Sequence, residues 1–190
     1  MRKILVIVTL TALFLTIATS AIAKPSRESS PQLGYGETAT PEKTYSVRTT
    51  LFGCTSWDDN GIGFFGGTDL FKLKWGVAEL GFRGGTTGTA MGGIRGGTIA
   101  IVTNPATNIS ARVVFADVGG GHNYYQLDLH CGVAKAIGFW DTGRVQIRIT
   151  KRRVNLSPRL VDHGIRGLGI IPATCLRTMQ PSKKKKQSTR

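Results

Sequence analysis

The apolar residues of this chain fall in short runs that alternate with polar residues at a period of two, separated by glycine, proline, asparagine and aspartate. That period belongs to half-buried β-strands, whose successive side chains point to opposite faces. Strands are predicted over residues 45–51, 77–80, 98–103, 112–116 and 145–150. The third, TIAIVT, is apolar almost throughout and reads as a strand covered on both faces. Asn104-Pro105 begins the turn that follows it. One segment breaks the pattern. Residues 131–137, CGVAKAI, suit a short helix, and Gly138 stands where a helix stop belongs. Asp141-Thr142-Gly143 is a turn into the last strand. The pattern predicts a mainly β protein with one or two short helices.

The two ends of the chain differ from this middle. Residues 1–23 carry Arg2 and Lys3, an apolar core and the small-residue sequence Ala21-Ile22-Ala23, the pattern of a secretory signal peptide. The apolar run is nearly long enough to span a bilayer, so an uncleaved anchor is the alternative. Cleavage predicts a chain starting at Lys24, periplasmic or secreted, with no stable membrane span. Residues 24–44, rich in Ser, Pro, Gly, Thr and Glu, read as a flexible lead. Residues 45–150 read as one mainly β domain, 151–176 as an extension against it, and 177–190, with four consecutive lysines from Lys183, as a basic disordered tail.

The charge balance points to the kind of partner. The chain has 25 basic and 11 acidic residues; without Arg2 and Lys3 the balance is 23 against 11, a net charge of +12. Such an excess marks a polyanionic partner. For an exported chain, anionic wall polysaccharide, phospholipid or lipopolysaccharide fits better than nucleic acid, and a monomer is expected. Cys54, Cys131 and Cys175 allow one disulfide in an oxidising compartment, with three pairings open and one thiol left over. No two cysteines form a CxxC unit, and His122, His130 and His163 have no metal-ligand spacing, so neither a metal nor another cofactor is expected.

The candidate chemistry lies in residues 111–150. Asp117 ends the predicted strand 112–116 and is followed by Val118 and the three glycines from Gly119, which leave room beside a carboxylate for a ligand. Asp128 lies between Leu127 and Leu129, just ahead of the predicted helix. A carboxyl pair around a glycine-rich opening suits general acid–base work. Simpler roles exist: Asp128 as the helix N-cap and Asp117 as a turn former. The helix dipole favours the Asp128 carboxylate, whereas apolar neighbours and the like charge of Asp117 disfavour it. Trp57, Phe64 and Phe65, set among glycines and acids, suit either a sugar-stacking groove or the core. Trp57, His122 and Tyr124 are the candidate substrate contacts, with an exposed loop histidine as the other reading of His122. Residues 81–97, nearly half glycine, lack the phosphate-loop pattern, and no G-x-S-x-G is present to support a serine hydrolase.

The residues DVGGG followed by LDL, with eleven positions from Asp117 to Asp128, resemble the aspartate-containing core of membrane-bound lytic transglycosylase A and the three-aspartate domains. The run LDLHCGVAKAIGFWDTGRVQIRI is similar to the rare-lipoprotein-A group, in which Ile/Leu-Asp-Leu precedes a short Ala-rich helix and a final strand. The resemblance covers roughly residues 45–150 and is motif-specific only in its second half. It implies a six-stranded double-psi β-barrel, as in expansins and family-45 endoglucanases. It also implies cleavage of the peptidoglycan glycan strand, with Asp128 as general acid/base and Asp117 in support. An expansin-like wall- or glycan-binding barrel without catalysis is the alternative. Ser56-Trp57 matches a Ser-Trp-Tyr opening up to Asp58, which departs from the tyrosine. Glu79 stands where relatives carry the acid of an Ala-x-Asp segment. The glycine-rich stretch 81–97 replaces a shorter turn, and no lipid-anchor cysteine follows the predicted cleavage point.

Overall fold

The alternating strands wrap around one apolar interior. A computed structural model describes residues 30–34, 36–53, 61–82, 91–120, 125–160 and 162–172. In chain order these form β1 (Thr44–Phe52), β2 (Gly76–Phe82), β3 (Thr98–Thr103), β4 (Ser110–Gly120), β5 (Leu127–His130), α1 (Cys131–Ile137), β6 (Gly143–Arg153), a 3₁₀ turn (Asp162–Gly164) and β7 (Gly169–Ile171). The sheet runs β2-β5-β1-β6-β3-β4, and β4 pairs back with β2. The result is a closed, mixed six-stranded β-barrel with a single short α-helix among the described residues. Pairs β1–β5 and β2–β4 are parallel, and the other four are antiparallel. Closure removes the free edges that an open sheet would expose. β7 pairs with β4 at residues 110–112, leaving the rest of that edge to β2.

Alternation decides which side chains enter the barrel. Tyr45, Val47 and Thr49 of β1 are buried, as are Val77, Val102, Val113, Phe115, Leu127, Leu129, Val145 and Ile147 from the other strands. Val133, Ala134 and Ile137 of α1 join the same cluster. Burying each large aliphatic or aromatic side chain contributes about 1.5–3 kcal/mol, so this interior dominates the stability. α1 begins at His130, whose Nδ1 accepts from the Gly132 N–H at 2.9 Å, and ends at Gly138 with φ 70°. The helix N-cap is therefore His130, not Asp128. At the other end Asn104 donates from its amide to the Ile137 and Gly138 carbonyls, tying the β3–β4 turn to α1.

A second apolar layer lies on the outside. Phe52, Leu70, Leu73, Ala78, Ile99, Val114, Ala116 and Ile165 form it, with Val154, Leu156, Leu160 and Leu168 against them. Both faces of β3 are thus covered, which explains its continuous apolar run. The segment after β6 folds back over the barrel as a covering layer.

Four sequence expectations change. β4 continues through Asp117 to Gly120 because β2 supplies a parallel partner there. β5, only four residues long, is a strand although its sequence is too short to show alternation. β6 runs to Arg153. The expected flexible lead 24–44 contributes residues to the fold: Leu33 and Ala39 are buried in the interior cluster, and the Ala39 N–H donates to the Met91 carbonyl at 3.1 Å.

Sequence resemblance groups Glu79 with acids that face a site, but its side chain points inward. It is fully buried, with 0% of its surface exposed. Its Oε1 accepts from the Met91 N–H at 2.8 Å and the Gly93 N–H at 3.1 Å, and its Oε2 from the Ile94 N–H. The carboxylate thus fixes the chain leading into β3. Burial raises its pKa above the ordinary 4.5, and the three backbone donors oppose this only in part. A folded value above the unfolded one means that the folded state holds the proton more tightly. The stability from this preference is present below pH 4.5 and is lost as pH rises through the folded value.

Glu79→Gln places an NH₂ where one oxygen accepts a hydrogen bond, and should cost about 1–3 kcal/mol in urea unfolding. The deficit relative to wild type should shrink as pH is raised from 4.5, because only wild type loses the proton-linked stability. A deficit that widens with pH would contradict this account.

Candidate functional site

The two aspartates meet through backbone register. Ala78 of β2 is the partner of Asp117 on β4 and of Asp128 on β5. Asp128 is in turn the partner of Thr50 on β1. Asp117, Ala78, Asp128 and Thr50 therefore form one row across four neighbouring strands. Strands lie about 4.8 Å apart, so the row is roughly 14 Å long, with about 10 Å between the aspartate backbones. Val77, Leu127 and Leu129 beside these positions face the interior, so the row lies on the outer face, where Ala78 is covered by the second apolar layer and Asp117, Asp128 and Thr50 are half-buried.

A register shift makes this alignment. Val77 pairs with Phe115, but Ala78 pairs with Asp117, so Ala116 is an extra residue on β4. Such a bulge re-aims the side chain that follows it. Without the extra residue Asp117 would face the apolar interior. The bulge is braced from outside by the loop after Gly61. The Phe65 N–H donates to the Ala116 carbonyl at 3.2 Å, and the Phe64 N–H donates to Asp117 Oδ1 at 2.7 Å. Gly63 permits this approach, since a Cβ there would stand 2.6 Å from the Ala116 oxygen. Across the row, the Thr50 hydroxyl donates to Asp128 Oδ1 at 2.9 Å. Both carboxylates are half-buried. Each is thus oriented by a neighbouring element, one by a loop amide and one by a strand hydroxyl.

Two exposed aromatic residues lie in segments that adjoin these strands. The ring of Phe64 is 57% exposed and meets Phe65 edge to face at 5.3 Å between centroids. Trp140, 73% exposed, precedes β6 by three residues. Gly143 at the start of β6 pairs with Thr49, next to Thr50. Trp140 belongs to no motif that singles it out in sequence, although Phe139-Trp140 immediately before a turn is a visible signal.

Other candidates separate from the row. Glu79 belongs to the interior, as described above. Trp57, Asp58, His122 and Tyr124 lie outside the described residues, and so do Cys54 and Cys175. Cys131 is disulfide-bonded, which removes the Cys54–Cys175 pairing and leaves either of those as its partner. His163 is exposed in the 3₁₀ turn. Among the described residues, no group of three or more His, Cys, Asp or Glu side chains could hold a metal ion. Among the same residues, no helix is long and apolar enough to cross a membrane. In comparisons with known proteins, the chain matches no family model and no curated protein.

Gly63→Ala tests whether the loop positions Asp117. The added methyl should push the loop from Ala116 and cost about 1–3 kcal/mol. Amide exchange at Phe64 and Phe65 should accelerate by more than the global loss of stability accounts for. Unchanged local protection would show that Asp117 is not held from this side.

Proposed function

We propose that this protein is an exported peptidoglycan-acting enzyme of the double-psi barrel kind, a lytic transglycosylase with Asp128 as general acid/base and Asp117 as its supporting carboxylate. The observation that carries this reading is the register of Ala78, which sets both motif aspartates in one row on one outer face. A closed six-stranded barrel with a short helix between β5 and β6 agrees with the architecture implied by the sequence resemblance.

In the proposed reaction Asp128, as the acid, gives its proton to the glycosidic oxygen while the bond from that oxygen to the anomeric carbon breaks. The sugar's own 6-hydroxyl then bonds to the anomeric carbon and returns a proton to the Asp128 carboxylate. The products are a 1,6-anhydro end and a free hydroxyl end, with no water consumed. Thr50 keeps the Asp128 carboxyl turned along the row, so its proton meets the substrate from a fixed direction. Asp117, two strands away, contributes orientation and negative charge near the cationic sugar of the transition state.

A second reading, a wall-binding barrel without catalysis, draws on the exposed rings of Phe64 and Trp140. Exposed rings suit stacking on sugar faces whether or not a bond is broken.

Asp128→Asn discriminates between the two. The amide is nearly isosteric and still accepts from Thr50, but it cannot supply the proton. Release of anhydro-muropeptides from purified wall should fall by roughly 10²–10⁴-fold, with sedimentation onto wall unchanged. Asp117→Asn should reduce turnover less. If wild type binds wall and releases no anhydro products, the binding reading replaces the enzyme. If Asp128→Asn cleaves as well as wild type, the assignment of the acid is wrong.

A further inference from the structure

The loop that holds Asp117 also forms a wall of a cleft of about 590 Å³. Its working lining is Phe64, Phe65, Ile94, Arg95, Arg153 and Asn155. The volume is in the range of small-ligand sites. It lies between the Phe64 loop, the chain leading into β3 and the exit of β6. The lining contains two guanidinium groups and no carboxylate.

Several features make this a built site. Arg153 Nη2 donates to the Gly96 carbonyl at 3.2 Å, which directs the guanidinium across the cleft. The Arg95 side chain makes no hydrogen bond or ion pair with the described residues. Gly96 lets the Phe65 ring close against the backbone, since a Cβ there would stand 2.2 Å from the ring. Glu79 fixes Gly93 and Ile94 from inside the barrel, so the Arg95 side of the cleft is anchored to the core. A second cleft, of about 430 Å³, shares Ile94, Arg95 and Arg153 and adds Lys151.

We infer that the Arg95–Arg153 cleft is an anion-selecting subsite that takes a carboxylate- or phosphate-bearing unit of a saccharide whose neighbouring units lie along the Asp117–Asp128 row. Guanidinium forks bind planar oxyanions through paired N–H donors, and two of them without a competing acid select for negative charge. The Phe64 ring supplies an apolar face for the sugar carrying the anion. Continuity with the row comes from Phe64, whose ring lines the cleft while its N–H holds Asp117. This inference rests on the glycan reading of the row, but it concerns binding and not cleavage.

The test is an NMR titration of the full chain with three probes: the disaccharide N-acetylglucosaminyl-N-acetylmuramic acid, its methyl ester, and glycerol 3-phosphate. Wild type should bind the acid at least about tenfold more tightly than the ester, with shifts at Arg95, Gly96 and Arg153, and this preference should weaken with salt. Arg95→Gln with Arg153→Gln should abolish the preference and leave affinity for the ester unchanged. Arg-dependent binding of glycerol 3-phosphate, with no preference for the acid over the ester, would assign the anion to a phosphate-bearing polymer and support the subsite. Equal affinity for acid and ester with no Arg-dependent phosphate binding would overturn it, as would a preference that survives in the double variant. The wild-type acid–ester comparison needs no variant, and Arg95→Lys with Arg153→Lys provides a charge-preserving control that should retain part of the preference. Absence of wall cleavage by wild type with this preference intact would overturn the enzyme and leave the subsite. Cleavage with no preference would do the reverse.

Discussion

The site depends on one constraint, the pairing of β2 with β4 on one edge and with β5 on the other. β2 closes the barrel, so its register is fixed by every apolar side chain that must point inward. A slip of one residue would turn Val77 and Glu79 away from the interior and Ala78 into it, breaking the Glu79 hydrogen bonds and the packing of both apolar layers. The alignment of Asp117 with Asp128 is therefore stabilised by the same hydrophobic interior that stabilises the fold. The carboxylate row needs little energy of its own. It adds one bulge, one loop docked on that bulge and one threonine hydroxyl.

Glu79 shows how the interior and the loops communicate. Its carboxylate is satisfied by three backbone N–H groups from the segment entering β3. That segment in turn holds Ala39 through the Met91 carbonyl and carries Arg95 to the rim of the cleft. A buried acid without such donors would carry a penalty of several kcal/mol. With them it becomes a fixed point between the core and a surface that presents positive charge.

Much of this architecture is legible in sequence because it rests on local pattern. Residues 98–103 read as a covered strand and are one, and the helix 131–137 with its stop at Gly138 occurs as read. The two aspartates are legible as a motif. Their alignment is not, because Ala78 is ordinary in sequence and matters only through pairings with distant strands. β5 leaves no sequence signal because four residues cannot display a period, and β4 reads short because glycine is a poor strand former. Glu79 carries no local mark separating a buried acid from a surface one. The Arg95–Arg153 cleft joins residues from two loops and a strand end that only folding brings together.

The central claim is that Asp117, Asp128 and Thr50, aligned through the buried Ala78, face one ligand, and mapping a bound glycan tests it most directly. Backbone amide shifts of the isotope-labelled chain, recorded with a peptidoglycan-derived tetrasaccharide on the Asp128→Asn background so that the proposed cleavage cannot occur, would give that map. The account predicts a contiguous set of perturbed amides running through Phe64, Asp117, Ala78, the substituted position 128 and Thr50 toward Trp140. Perturbations confined to the β7 edge or the 3₁₀ turn, with the Ala78 row silent, would contradict it.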